Sequence, residues 1–396
     1  MNCLIITSSL PYPPASGGAL RAYGILHGLH EAAHTLTLLT FHDGRNDAMQ
    51  TPLAALCHEI ITVATPTRTR SARLRDLIFT RESDISRRLH SVEFAAALTD
   101  LLQKQTFDMI QFEGIEVACY LFLAKKLAPK TRLCFDNFNA EAELQRLIAR
   151  LDSRTLRQWP MAVYSALQSR RIAQFEGDLC RAADHVIAVS EEDAALLRPY
   201  CPEGRITVVP SGIFVDHYTP GERIALPPNA LVFTGKMDYR PNVDAVQWFA
   251  EAVMPHLPDA HLVIVGQMPN ARVQALASHE RIQITGQVAS VIPYLHRASV
   301  YVAPLRMGSG TRLKLLEAMA ARCAIVATPL AASGLSDDAK ATMCIAESAQ
   351  DFARAVDVLL RDAEKRQSLG DKAWDTVSRQ YDWAVLIPRL LEIYGG

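Results

Sequence analysis

The sequence predicts an α/β protein built from two doubly wound domains, each a parallel sheet with helices on both faces. Three observations carry this expectation. Short apolar, β-branched runs recur with helix-length intervals between them, the runs form two series, and a cluster of turn formers separates the series. At 396 residues the chain is long enough for two or three domains of about 100 to 200 residues each.

The first series comprises residues 3–7, 35–40, 59–63, 108–111, 131–136 and 184–190. The second comprises 231–235, 261–266, 282–286, 300–304, 324–329 and 342–346. Between them lies Cys-Pro-Glu-Gly-Arg-Ile-Thr-Val-Val-Pro-Ser-Gly at 201–212, followed by further Pro, Gly and Asn at 219–229, a composition suited to an interdomain crossing. The boundary is expected near 210, giving domains 1–209 and 210–379. Residues 371–394 are helical in pattern, and a C-terminal helix over about 380–396 is expected to cross back to the first domain.

Composition narrows the function classes. Lys and Arg total 41 against 42 Asp and Glu, a net charge of −1, with 49% hydrophobic and 21% charged residues. Disorder, collagen and coiled coil are excluded, and so is the cationic excess of a dedicated nucleic-acid binder. Eight cysteines are scattered without a C-x-x-C pair or Cys/His cluster. They read as reduced, small hydrophobes, with no zinc site and no assigned chemistry. The N-terminus lacks a basic n-region and no run approaches the roughly 18 apolar residues of a membrane span, so a cytoplasmic protein is expected.

Chemistry concentrates at strand ends in the second series. Gly235, Gly266, Gly286, Pro304 and Pro329 each close a run, and ligands of open α/β sheets bind outside the carboxyl ends of strands. The sharpest segment is 302–321, Val-Ala-Pro-Leu-Arg-Met-Gly-Ser-Gly-Thr-Arg-Leu-Lys-Leu-Leu-Glu-Ala-Met-Ala-Ala. Strand, glycine loop and helix follow in order. A helix starting near Thr311 puts Arg312 and Lys314 in its first turn, where the macrodipole disfavours cations. With the free N–H groups there, the two side chains suit a phosphate or diphosphate; solvated surface charge is the plainer alternative. Glu317 lies in an apolar stretch and needs a partner, either two vicinal hydroxyls such as a ribose offers or a nearby cation on its own helix. The dinucleotide fingerprint fails after Gly308-Ser309-Gly310, and no P-loop occurs.

These segments, with 232–249, 262–266, 284–288, 324–329 and the glycine-rich stretch 10–21, resemble a family 4 glycosyltransferase of the retaining GT-B class. The resemblance implies two Rossmann-like domains facing a central cleft, a nucleoside diphosphate sugar (UDP or GDP type) on the second and the acceptor on the first, with no cofactor required. It implies that Glu317 meets the ribose and that Gly17, Gly18, Gly235, Arg240, Gly266, Gly286, Val288, Ser309, Gly310 and Thr311 line the donor site. Ser309 stands where the family usually has a sugar-contacting glutamate, Lys236 where it often has Arg, and Asn242 where a lysine is normal. Glu113 takes the place of a histidine near the sugar. Asp136, Asn139 and Glu141 resemble a D-x-x-N-x-E acceptor element, although a capped helix start explains them too.

No D-x-D motif occurs, and Lys236, Arg312 and Lys314 supply positive charge for the leaving diphosphate without a metal. Retention through a front-face route needs no nucleophile; a double displacement would need Glu113. The Arg-rich stretch 68–88 predicts either a basic amphipathic face for anionic lipid at the inner membrane surface or a solvated helix. The expected role is transfer to a glycan or lipid-linked acceptor in bacterial envelope or exopolysaccharide synthesis. A nucleotide-sugar epimerase and a non-catalytic binding subunit are the alternatives.

Overall fold

The computed structural model describes residues 1–14, 16–153, 159–221, 224–307 and 313–395. The chain divides into Met1–Pro210 with Leu386–Gly396, and Ser211–Val385.

In the first unit, β1 (Asn2–Thr7), β2 (Thr35–His42), β3 (Glu59–Ala64), β4 (Met109–Glu113), β5 (Arg132–Asn137), β6 (His185–Ala188) and β7 (Ile206–Val208) form a parallel sheet in the order β3-β2-β1-β4-β5-β6-β7. In the second, β8 (Ala230–Thr234), β9 (His261–Val265), β10 (Ile282–Gly286), β11 (Val300–Ala303), β12 (Ile325–Ala327) and β13 (Cys344–Ile345) follow the order β10-β9-β8-β11-β12-β13. Central strands are buried on both faces, which is why Leu4-Ile5-Ile6 and Leu231-Val232-Phe233 read as unbroken apolar runs rather than alternating ones. The chain reverses direction across the sheet between β1 and β4, and again between β8 and β11. Such switch points open a crevice at the strand carboxyl ends, so they fix where each unit can hold a ligand.

One expectation is corrected and one gains detail. Residues 206–208, expected as crossing, pair with β6 as an edge strand. The C-terminal segment is two helices, Ala363–Gln380 and Trp383–Gly395, because Asp382 leaves helical geometry to bridge Ile213. The last helix lies against Gly17–Glu31 in the first unit. A Cβ on Gly28 would sit 2.2 Å from Ile387 Cγ1, so the missing side chain is what permits that approach.

Candidate functional site

The second unit's switch point is organised around Lys314, on the helix Leu313–Ala320 that follows β11. Its Nζ donates to the Thr234 carbonyl (2.9 Å) at the end of β8 and to Asn242 Oδ1 (2.7 Å), and lies 4.3 Å from the centre of the Phe233 ring. Asn242 is buried and donates its Nδ2 to the Lys236 carbonyl (2.9 Å), so one amide spans the loop after β8 and the ammonium. The Lys314 ammonium thus lies against Asn242, the position where the resemblance leads one to expect a lysine. A Cβ on Gly235 would meet Asn242 Nδ2 at 2.7 Å and Lys314 Nζ at 2.9 Å, and one on Gly266 would meet the Gly235 carbonyl oxygen at 1.7 Å. These glycines let two strand ends and a cation converge.

One turn on from Lys314, Glu317 accepts the Tyr218 hydroxyl on Oε1 (2.9 Å). Tyr218 is held in turn by His296, whose Nε2 donates to its carbonyl (2.8 Å). Burial pushes the Glu317 carboxyl up, while the Tyr218 bond and the Lys314 charge pull it down. Lys236 is exposed and pairs with Asp238 at 3.4 Å, and Arg240 is exposed at the start of the helix Arg240–Trp248. Gly286 closes β10 at φ 69° beside a register shift, with open space above its Cα, and Val288 packs partly against the core. Ser309, Gly310, Thr311 and Arg312 lie outside the described residues. Before them, Arg306 makes a bidentate pair with Asp244 (3.0 and 2.7 Å).

In the first unit, Gly17 and Gly18 open the helix Gly17–Glu31, capped by Ser16, whose Oγ accepts the Ala19 N–H (3.3 Å). Gly18 leaves room for the Phe138 ring, which a Cβ would meet at 3.0 Å. Arg21 of that helix points down to the sheet, its Nε donating to Asp136 Oδ2 at 2.7 Å, with both residues fully buried. Arg21 Nη1 and Nη2, Asp136 Oδ1 and Glu113 Oε2 are buried without a hydrogen-bond partner. Gln111 donates to Glu113 Oε1 and accepts the Tyr394 hydroxyl, which ties the last helix to β4. Burial and the neighbouring Asp136 push the Glu113 carboxyl up to about 8, although Arg21 opposes this.

Asp136 thus sits in an ion pair beneath the surface. Asn139 and Glu141 are partly exposed beyond it, with the Glu141 carboxyl pushed up by burial. The start of the helix Glu141–Asp152 is capped from afar: Glu176 accepts the N–H groups of Glu141 (2.8 Å) and Ala142 (3.1 Å) and the Asn137 amide (3.2 Å), and Asp193 accepts the Ala140 N–H (2.9 Å). The sequence reading missed Glu176, since nothing local marks a cap supplied 35 residues downstream.

The Arg-rich stretch carries counter-charges of its own. Arg68 bonds Asp76 (2.8 Å) and Asp84 (2.9 Å), Arg73 bonds Asp84 (3.1 Å), and Arg87 lies 3.1 Å from Glu82. The Arg68 bond holds the Asp76 carboxyl below its ordinary value. Several arginines are therefore paired within the segment, which keeps its excess of Arg over acids, and Arg75 and Phe79 remain exposed. Among the described residues no helix is long and apolar enough to cross a membrane, and no group of three His, Cys, Asp or Glu is placed to hold a metal.

Comparison with known proteins places this geometry. Residues 15–217 match the family "Glycosyltransferase Family 4" and residues 228–362 match "Glycosyl transferases group 1". A phosphatidyl-myo-inositol mannosyltransferase of Mycobacterium leprae is 29% identical over 196 residues, 47% of this chain and 52% of that protein. A D-inositol 3-phosphate glycosyltransferase of Corynebacterium aurimucosum is 28% identical over 238 residues, 53% of this chain and 56% of that protein. The chain thus spans about half the length of the curated relatives it matches. Among solved structures, sucrose-phosphate synthase from Thermosynechococcus elongatus aligns with TM-score 0.76 at 17% identity, covering 100% of this chain and 98% of that one. Anabaena HepE in complex with UDP aligns with TM-score 0.68 at 12% identity, covering 100% of both chains. At those identities the likeness is one of fold, and the fold is GT-B.

Proposed function

The chain belongs to glycosyltransferase family 4, and on that premise we propose that it moves a sugar from a nucleoside diphosphate sugar to a glycan or lipid-linked acceptor, retaining the anomeric configuration and needing no metal. The observation that carries this reading is the pairing of a cation and a carboxylate, Lys314 and Glu317, one helical turn apart at the second unit's switch point. That pair suits the two ends of a nucleoside diphosphate, the ammonium for the phosphates and the carboxylate for ribose hydroxyls. Gly235, Gly266, Gly286 and Val288 border the same strand ends, and Arg240, Lys236 and the 309–312 stretch complete the donor site. A UDP donor is supported by HepE, solved with UDP, and a lipid-linked acceptor by the phosphatidylinositol mannosyltransferases.

Departure of the diphosphate leaves negative charge on its oxygen and oxocarbenium character on the sugar. Preorganised cations at that oxygen lower the barrier, and losing one such group typically costs about 10² to 10³ in rate. Glu113, holding its proton to about pH 8, is a poor nucleophile at neutral pH and a competent hydrogen-bond donor. This favours the front-face route, in which the leaving phosphate accepts the acceptor's proton. Asp136 acts by fixing Arg21, leaving Asn139 and Glu141 as the acceptor-facing members of their element. An envelope or exopolysaccharide role and peripheral contact with the inner membrane surface complete the proposal; Arg75 and Phe79 are the exposed groups that favour such contact.

The test is transfer from a panel of UDP and GDP sugars in excess EDTA, with anomeric configuration read by NMR. Lys314→Ala and Glu317→Gln should each lower kcat/KM by about 10². Unchanged turnover and donor affinity in both variants would refute the site, and flotation with anionic liposomes at low salt tests the membrane contact.

A further inference from the structure

Glu317 has one carboxylate oxygen engaged from within the second unit. The Tyr218 hydroxyl donates to Oε1 at 2.9 Å, while Oε2 makes no hydrogen bond among the described residues. The tyrosine is fixed at both ends. It closes the short helix Val215–Tyr218, packs against the core of the second unit, and its carbonyl accepts a hydrogen bond from His296 Nε2 at 2.8 Å. Glu317 itself is half-buried, unlike the enclosed Leu315, Leu316 and Ala318 around it, which leaves its second oxygen a path to a ligand. We propose that Tyr218 is a positioning residue that sets nucleotide specificity: by occupying Oε1 it commits Glu317 to one hydroxyl of the donor's ribose, met through Oε2, rather than to both. The inference rests on the reading of Glu317 as the ribose carboxylate and narrows it.

The reason is one of exchange. A phenol O–H bonded to a carboxylate is already a charge-assisted hydrogen bond, so a ribose hydroxyl that displaced it from Oε1 would replace one such bond by another and gain little. Displacement would also strand the phenol. Its ring is packed and its backbone is held by His296, and the hydroxyl has no second acceptor among the described residues. A half-buried donor left unpaired opposes binding, because its desolvation is not repaid. At Oε2 no protein donor competes, so a hydroxyl arriving there keeps the full worth of its bond. The two vicinal hydroxyls of a ribose are therefore read unequally: one meets the free oxygen of Glu317 and the other does not.

Calorimetric titration of the full chain with UDP and GDP, and with the 2′-deoxy and 3′-deoxy forms of whichever binds, tests this. In the wild type one deoxy form should bind about 10- to 100-fold more weakly, the worth of a hydrogen bond to a charged group, and the other should match the parent nucleotide within about threefold. In Tyr218→Phe, Oε1 is free for the second hydroxyl, so both deoxy forms should bind more weakly than the parent. A purely structural role would weaken all three ligands alike and leave their ratios unchanged. If neither nucleotide binds, or neither deoxy form is weakened in the wild type, Glu317 does not meet the ribose and the donor-site reading falls together with the inference. If both deoxy forms are weakened by similar factors in the wild type, or Tyr218→Phe keeps the wild-type pattern, the donor-site reading stands and the inference alone is overturned. The wild-type comparison decides by itself should the phenylalanine variant fail to fold.

Discussion

Replacing Asn242 by alanine tests whether the donor-site cation is held from the loop after β8. The variant removes the acceptor for Lys314 (2.7 Å) and the donor to the Lys236 carbonyl (2.9 Å). A hydrogen bond to a charged group contributes about 1.5–3 kcal/mol and a neutral one about 1 kcal/mol, so the loss comes to about 2.5–4 kcal/mol. For a unit of this size each kcal/mol moves the midpoint by about 2–4 °C, which predicts a fall of roughly 5–15 °C by calorimetry. A double-mutant cycle isolates the pair: Lys314→Met keeps the stem over Phe233 and removes the ammonium, and the coupling between the two changes should equal the charged bond, about 1.5–3 kcal/mol. Additivity within about 0.5 kcal/mol would show that Asn242 does not hold Lys314 and would refute the reasoning.

Glu113→Gln should alter the pH dependence of stability. With the folded carboxyl at about 8 against an ordinary glutamate value of 4.5, the native state keeps a proton that the unfolded chain has lost. The protonated form's contribution is full below about 4.5 and declines by about 1.4 kcal/mol per pH unit up to 8; the glutamine variant should show a flatter curve over that window in urea titrations, and an unchanged slope would disprove the assignment. Gly266→Ala forces a methyl to within 1.7 Å of the Gly235 carbonyl oxygen, so β8 and β9 must separate at their ends. Donor affinity should drop below detection by calorimetric titration while the far-UV dichroism stays near wild type. Glu176→Ala leaves the buried Asn137 amide and two helix N–H groups unpaired, at a cost of about 1–3 kcal/mol each. It should raise acceptor KM more than donor KM, and equal changes in both would argue against a local effect.

Local chemistry was legible and convergence was not. The strand series announced itself because buried parallel strands cannot alternate polar and apolar residues, and the turn formers around 201–212 stood out for the same reason. Lys314 and Glu317 were singled out from helical spacing and apolar surroundings. That Asn242 reaches across 72 positions to Lys314, or that Tyr218 lies 99 positions from Glu317, is set by how strands order in the sheet, which no window of sequence displays. The Arg68–Asp76–Asp84 network was likewise hidden: the charges were countable, but that Asp76 and Asp84 each face more than one arginine is set by how the segment folds.

The charge pattern of the first unit's switch point suits the floor of the sugar site proposed for it. One guanidinium and two carboxylates are buried together there, and an extra uncompensated negative charge in such a place is strongly disfavoured. Retaining the Glu113 proton makes the set neutral: Arg21 offsets Asp136, and Glu113 keeps a donor for its otherwise unpaired Oε2. Tyr394 closes the network through Gln111, so docking of the last helix and the protonation of Glu113 are linked, each favouring the other. A neutral, donor-bearing floor fits an uncharged sugar hydroxyl, whereas the ammonium of Lys314 sits in the unit proposed to take the diphosphate. If that division is right, Tyr394→Phe should move the Glu113 titration and leave nucleotide affinity where it was. A loss of nucleotide binding in that variant would mean that the two strand-end sites do not divide the substrate by charge.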